Sequence, residues 1–384
     1  MIPRNVDTEP RAFLSEVLGA NREQVNATRI LRDISASSAL LDDLVMDSHA
    51  SEQTIRRYLT DLEARDLLQC DSSGYQLTEL GEMTRKRYEI HLGNIDEKSL
   101  CYFVKNDTNF AFLLAISDGS RLQPELAEQI DISRSQIRSI ASTFEETNWV
   151  RRRGSNCSLT KAGQEAIDAY EQFAIAAKQI QKFAPVLCHF GRSVTDLPVE
   201  HLATAEMIEA VPERPQNAIN VAADLAGPNL TTFYGFSNTV NRDIAEAYMS
   251  AIRNDTKAEL IIPEYLLPVL PKEGKYGQYV KDGLAASNFQ LLLVREELPF
   301  GFGVFDNETI LLAPVRSDGY TRGVIKTNDE AIIEWATDIY REYRECAWCP
   351  SRYTLRRVLP DSIVQDSLLQ AENPPFPDYI KTAE

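Results

Sequence analysis

The first half of the chain is written twice. Sliding the sequence on itself by 82 residues, with no gap, lays Ile34-Ser35 over Ile116-Ser117, Leu44 over Leu126, Ser51 over Ser133, Ile55-Arg56 over Ile137-Arg138 and Glu63 over Glu145. Farther on, Leu67-Leu68 falls on Trp149-Val150, Leu77-Thr78 on Leu159-Thr160, Gly81 on Gly163 and Tyr88 on Tyr170. A register kept without insertion preserves both helix faces and strand alternation, so one small folding unit is used twice.

Each copy reads as an apolar helix ("TRILRDIS", "FAFLLAIS"), a short helix ("LLDDLVMDS", "PELAEQI") and a longer helix opening at a serine ("SEQTIRRYLTDLEARDLL", "SRSQIRSIASTFEETNW"). Ser51 and Ser133 are N-cap residues, able to satisfy an orphan N–H of the first turn. A Gly/Ser/Asn turn between two short apolar segments then follows in "LLQCDSSGYQLT" and in "WVRRRGSNCSLT", which predicts a hairpin. Three helices and a hairpin make a winged helix-turn-helix. Such units read DNA, and they also serve as protein-interaction modules.

The copies differ where DNA would be touched. A recognition helix reads the major groove from its N-terminal half, and in the second copy those positions are Ser133, Arg134, Ser135, Gln136 and Arg138, with no acid among them. Gln can bond adenine bidentately and Arg can bond guanine. Arg151, Arg152 and Arg153 climb the second hairpin and Lys161 follows it, whereas the first copy has Asp71, Ser72 and Ser73 at its hairpin tip. An acidic wing is repelled by phosphate. The second copy is therefore expected to be the main DNA reader, with Gln53, Arg56 and Arg57 as weaker candidates in the first. Strand alternation sends neighbouring arginines to opposite faces, so the three are not expected to reach phosphate together.

This basic patch sits in an acidic chain, with 57 Asp and Glu against 40 Lys and Arg and a formal net charge of -17. Strong acidity with more Arg than Lys suits concentrated intracellular salt, where the Debye length falls to about 3 Å, and it also occurs in ordinary acidic cytosolic proteins. In either setting a phosphate responds to the charges nearest it, so global acidity does not exclude DNA. The 384 residues are enough for two to three domains. No run approaches a membrane span, and "MIPRNVDTEPRAFL" lacks the order of a signal peptide, which predicts a cytoplasmic protein with no membrane partner. Six scattered cysteines predict free thiols, and the lone Cys346/Cys349 pair is a weak metal signal.

From Lys161 a stretch without Gly or Pro between Gly163 and Pro185 spaces Ile167, Tyr170, Ala174, Ala177, Ile180 and Ala184 along one helix face. A helix pairing with its copy in a homodimer and a helix covering its own domain both produce such a stripe. Beyond about residue 231, β-rich runs such as "TTFYGFS", "AELIIP", "FQLLLV" and "ETILLAP" alternate with helical ones, predicting an α/β domain with a mixed sheet. Asp306-Asn307 reads as a hairpin turn, and Asn328-Asp329 as a helix cap. His49, His91, His189 and His201 all lie outside this sheet, no P-loop occurs, and "FGFGVF" lacks the third glycine of a dinucleotide site. The reading is therefore no enzyme, no catalytic residue, no metal and no cofactor. Tyr234, Phe236, Phe300 and Phe302 could wall a ligand pocket with Arg295 at its rim, or simply pack in the core.

Together "FEETNWVRRR", "LTKAG", "LPVEHLATAEMIEAVPERP", "LPFGFGVFDNETILL" and "DEAIIEWATDIYREYR", in this order from about Asn109 to Tyr343, resemble haloarchaeal winged-helix transcriptional regulators carrying the middle domain of the methanogenesis and filament regulator family. The resemblance implies a DNA-binding regulator with a C-terminal ligand sensor, similar in outline to the phospholipase D-like sensory domain of sugar-responsive archaeal regulators. Active phospholipases of that kind take their nucleophile from an H-x-K motif, and this sheet has no histidine. The first copy departs from the single winged helix usual in the family.

The expected fold is α+β and multidomain: two tandem winged helix-turn-helix units, then an α/β mixed-sheet, sensor-like domain of phospholipase D-like outline. The expected domains are 1–98 and 99–160 for the two winged helices, 161–187 for a linker or dimerisation helix, 188–350 for the ligand-sensing domain and 351–384 for a Pro-rich tail. The expected function is a sequence-specific, ligand-responsive transcription regulator acting on double-stranded DNA as a homodimer with a small-molecule effector. The alternatives are a protein-interaction adaptor and a metal-free hydrolase on the phospholipase D-like fold.

Overall fold

The 82-residue register of the sequence is also a register of structure. The computed structural model describes residues 38–48, 51–211, 216–270, 274–314 and 322–357, with isolated positions besides, in two units, residues 1–182 and 183–384. The first unit holds α1 (Leu41–Ser48), α2 (Glu52–Glu63), β1 (Leu68–Asp71), β2 (Gly74–Leu77) and α3 (Glu79–Leu92). Next come α4 (Glu97–Val104), α5 (Asp107–Ser117), β3 (Arg121–Leu122), α6 (Gln123–Ile130), α7 (Arg134–Glu146), β4 (Val150–Arg153), β5 (Asn156–Leu159) and α8 (Lys161–Leu187), the last running on into the second unit. Each of α1, α2, β1, β2 and α3 starts 82 residues before α6, α7, β4, β5 and α8 respectively. Even the lone bridge Ala39–Tyr75 has its counterpart in the β3–β5 pair Arg121–Cys157. Most of "TRILRDIS", the helix expected to match α5, lies outside the described residues.

The same local chemistry recurs at both sites. Ser51 Oγ accepts from Thr54 N at 3.3 Å, and Ser133 Oγ accepts from Gln136 N at 3.2 Å, each starting its helix as an N-cap. Asp66 (φ 57°) and Asn148 (φ 61°) take the left-handed conformation that turns the chain from helix into hairpin. Thr78 and Thr160 then cap the following helix, each accepting from the glycine three residues on at 3.1 Å. Those glycines are required by space: a Cβ on Gly81 would lie 2.0 Å from Leu67 O, and one on Gly163 2.2 Å from Trp149 O.

In the second copy Phe103, Phe110, Phe112, Phe144, Trp149 and Tyr170 are all buried. Their rings meet in pairs, with Phe103 5.2 Å from Tyr170 and Phe144 5.8 Å from Trp149. Tyr170 belongs to the stripe on α8. Within a single chain Ile167, Tyr170, Ala177 and Ile180 are buried, and Ala174 and Ala184 are half-buried.

The second unit is a seven-stranded mixed sheet of order β6-β12-β11-β10-β7-β8-β9. Its strands are β6 (Glu206–Glu209), β7 (Thr232–Phe236), β8 (Lys257–Pro263), β9 (Phe289–Val294), β10 (Gly301–Phe305), β11 (Thr309–Ala313) and β12 (Gly323–Thr327). β7, β8 and β9 run parallel, and the other neighbours pair antiparallel. The helices α9 (Asn217–Leu225), α10 (Arg242–Arg253) and α11 (Gly274–Ala285) share one core with Phe233, Ala258, Phe305 and Val324 of the sheet. Alternation turns Tyr234 the other way, where its hydroxyl meets Thr337 Oγ1 of α12 (Glu330–Cys346) at 2.9 Å. Asp306 and Asn307 adopt φ of 53° and 56° in the β10–β11 hairpin, and Asp329 caps α12. All six cysteines are free, and no described helix is long and apolar enough to cross a membrane.

An ion pair under α12 has no trace in the sequence pattern. Glu259, in the middle of β8, is fully buried. It accepts from Arg344 Nε at 2.7 Å, from Arg344 Nη2 at 3.0 Å and from Tyr340 Oη at 2.6 Å. Removing one member of a buried pair strands the other charge, a loss of about 3–5 kcal/mol. Arg344→Met alone is therefore expected to lower the urea midpoint sharply, and Glu259→Leu with Arg344→Met to recover most of it. Equal loss in the single and double variants would contradict this account.

Candidate nucleic-acid interface

α7 starts at the Ser133 cap and buries Ile137, Ile140, Ala141 and Phe144. Its period then leaves Arg134, Ser135, Gln136 and Arg138 exposed. No acid stands in the first turn, so the positive end of the helix dipole and two guanidinium groups share one surface. Gln136 is less available than its position suggests. Its Oε1 accepts from Ser133 N at 3.0 Å and from Ser133 Oγ at 2.8 Å, closing a capping box. A bidentate contact to adenine would have to break that box, which leaves Arg134 and Arg138 as the readier base or phosphate contacts. Ser135 Oγ lies 2.9 Å from Ser133 Oγ.

β4 and β5 form the hairpin, with β3 on the other edge of β5. Arg151 pairs with Ser158, Arg152 with Cys157 and Arg153 with Asn156. Alternation separates the three arginines as expected. Arg151 and Arg153 are exposed on one face. Arg152 turns toward α7, where its Nε donates to Glu145 Oε2 at 2.6 Å and its backbone N–H to Glu145 Oε1 at 3.1 Å. Arg152 is thus a brace between helix and hairpin, and the exposed arginines are the outer two. Lys161 is exposed and pairs with Glu165 at 3.0 Å. Arg121, which the sequence reading passed over, stands exposed on β3 beside the same hairpin. Only the strand pairing brings it there.

At the corresponding places the first copy carries other chemistry. Glu52 stands for Arg134, Gln69 for Arg151, Asp71 for Arg153 and Ala39 for Arg121. Arg56 is held by Glu52, with Nε 2.8 Å from Oε1. Arg57 lies 5.1 Å over the Tyr58 ring, and Gln53 is exposed. Asp71 is used inside its own turn, accepting from Ser73 N at 2.7 Å. The hydrogen bonds from Ser73 hold its carboxyl below the ordinary value, keeping it charged.

The side chains expected to wall a ligand pocket divide between core and cavity. Tyr234 and Phe300 are buried, Tyr234 under Tyr340 and Phe300 stacked on Trp335 at 5.3 Å. Phe236 and Phe302 pack edge to face at 4.8 Å against each other and also border a cavity at the strand end. Arg295 lies 5.5 Å over the Trp348 ring. The alternation of "FGFG" explains the difference, since the phenylalanines fill the α12 side and the glycines leave the space on the other. Cys349 is buried, its Sγ 3.6 Å from Gln290 Nε2, and among the described residues no group of His, Cys, Asp or Glu is arranged to hold a metal ion.

Residues 215–346 match the model of the middle domain of the methanogenesis regulatory protein FilR1, and residues 98–181 match that of the HVO_A0261 N-terminal domain. No curated protein matches the chain. Among solved structures, TrmBL2, described as an archaeal chromatin protein with a novel mode of DNA binding, aligns at 11% identity and a TM-score of 0.30, over 63% of this chain and 93% of its own. Nuc from Salmonella typhimurium, a phospholipase D family member, aligns at 15% identity and a TM-score of 0.28, over 37% of this chain and 95% of its own. Overlays at these scores establish no common fold. The second half of the chain is thus similar to a domain of a regulatory protein.

The hydrogen bonds from the Arg152 side chain and backbone hold the Glu145 carboxyl below its ordinary value. A lowered carboxylate contributes stability above its unfolded value, about 4.3, and loses it as pH falls through the folded value. The brace should therefore hold at neutral pH and loosen in acid. In a carbon-13 NMR titration Arg152→Ala, which keeps only the backbone donor, should raise the Glu145 midpoint toward the ordinary range, and an unmoved midpoint would remove the brace.

Proposed function

We propose that the chain is a sequence-specific DNA-binding transcription regulator whose second copy is a winged helix-turn-helix and the main DNA reader. The observation that carries this is the set of exposed arginines in the second copy, Arg134 and Arg138 on α7 and Arg151 and Arg153 on the hairpin that follows it. α7 would enter the major groove, and the outer wing arginines would hold flanking phosphates. The similarity of residues 215–346 to a domain of a regulatory protein supports the same reading. On the net charge of -17, screening decides: at about 8 Å of Debye length the arginines nearest a phosphate outweigh distant carboxylates.

The first copy has the same layout over its described part, and we read it as a second winged helix that does not grip phosphate, because Glu52 and Asp71 replace two of the four arginines. The second unit is proposed to bind a small-molecule effector and to catalyse nothing. The protein would act in the cytoplasm, where its DNA lies, as a homodimer matched to a two-fold operator.

Each phosphate contact adds about 0.9 to the slope of log affinity against log salt. Arg151→Ala with Arg153→Ala should flatten that slope by nearly two units and weaken every sequence alike. Arg138→Ala should instead shift sequence preference, by about 1–3 kcal/mol at one base position. Fluorescence anisotropy across a salt series reads both effects. An unchanged slope in the double variant would refute the wing assignment.

A further inference from the structure

At the C-terminal end of β7 the second unit holds two adjoining cavities of about 170 Å³ each. The first is walled by Phe233, Ile244, Tyr248, Leu260, Tyr279 and Leu291. The second lies over Gly301, Gly303 and Ala313 and reaches Asn238. Phe233, Tyr248, Ile244 and residues of the 237–241 segment border both. β7 is also where the sheet changes sense, with antiparallel β10 on one side and parallel β8 on the other. Crevices at the carboxyl ends of strands beside such a switch point are the usual ligand sites of open α/β sheets.

The lining selects a chemistry. None of the described residues bordering either cavity is charged, so a phosphate or carboxylate would find no counter-charge among them, which disfavours it. One polar atom is left waiting. Asn238 is only 9% exposed, and its Nδ2 donates to Leu298 O at 2.9 Å, while its Oδ1 has no partner. A buried acceptor without a donor is an uncompensated cost that a ligand hydroxyl or N–H would remove. Tyr248, its ring 4.5 Å from Phe233, adds an aromatic wall common to both spaces.

We propose that these cavities bind a neutral, mainly apolar small molecule with one hydrogen-bond donor, which Asn238 Oδ1 accepts. This gives a chemical class to the effector and rests, for its regulatory meaning, on the reading of the chain as a ligand-responsive regulator. A ring-sized compound suits the space, since an apolar cavity of about 150 Å³ holds benzene.

The test uses the full chain and three probes of one size, benzyl alcohol, toluene and benzoate, in calorimetric titrations. Saturable binding of benzyl alcohol is expected, several-fold tighter than toluene, with no binding of benzoate. A Cβ on Gly301 would have no neighbour closer than 3.7 Å, so Gly301→Val is expected to fold and to weaken benzyl alcohol at least tenfold by filling the space. Asn238→Leu should erase the advantage of benzyl alcohol over toluene. The proposal is overturned if benzyl alcohol does not saturate, if benzoate binds as well, or if folded Gly301→Val binds unchanged. DNA affinity measured on the same samples separates the two claims. Probe binding without DNA binding sinks the regulator reading and leaves the site, and DNA binding without probe binding does the reverse.

Discussion

The hairpin of the second copy is placed by the contact between the first turn of α8 and the root of β4. Trp149 O accepts from Thr160 N at 2.9 Å, and Gly163 approaches that carbonyl so closely that no Cβ fits. Thr160 Oγ1 donates to Asn148 O at 2.5 Å on the same turn. These bonds fix where the hairpin leaves α7 and so fix where Arg151 and Arg153 stand relative to Arg134 and Arg138. The first copy reproduces the arrangement at Leu67, Thr78 and Gly81. What is repeated is therefore a geometry for holding a hairpin beside a helix, and what varies is the charge displayed on it.

That division explains which parts of the molecule were legible in the sequence. The repeat, the serine caps and the Asp306-Asn307 turn are local, set by residues a few positions apart, and the structure has them where the spacing placed them. The capping box at Ser133 and Gln136 was equally local and could have been read from the S-x-x-Q spacing, which would have warned that Gln136 is already engaged. Alternation along β4 likewise foretold that the three arginines divide.

The rest depends on pairings between distant segments. Glu145 and Arg152 meet only because the helix and strand fold back on each other, so nothing in "VRRR" marks the middle arginine as a brace. Arg121 reaches the hairpin through the two-residue pairing of β3 with β5. Glu259 is an acid set among the apolar residues of β8, and its partners Tyr340 and Arg344 lie more than 80 positions away. In "FGFGVF" Phe300 and Phe302 drew attention as a pocket wall, yet the sheet packs both against α12 and only Phe302 also borders the open space, with Gly301 and Gly303. Composition shows where apolar surface is, and only topology shows which face is left unfilled.

The central claim is that DNA is held by the helix and wing of the second copy and not by their counterparts in the first. Arginine-specific labelling with phenylglyoxal, read by mass spectrometry with and without bound DNA, tests it at single residues. The account predicts that DNA protects Arg134, Arg138, Arg151 and Arg153, leaves Arg56 and Arg57 as reactive as before, and finds Arg152 slow to react in both states. Protection of Arg56 and Arg57 with the second-copy arginines still reactive would contradict it.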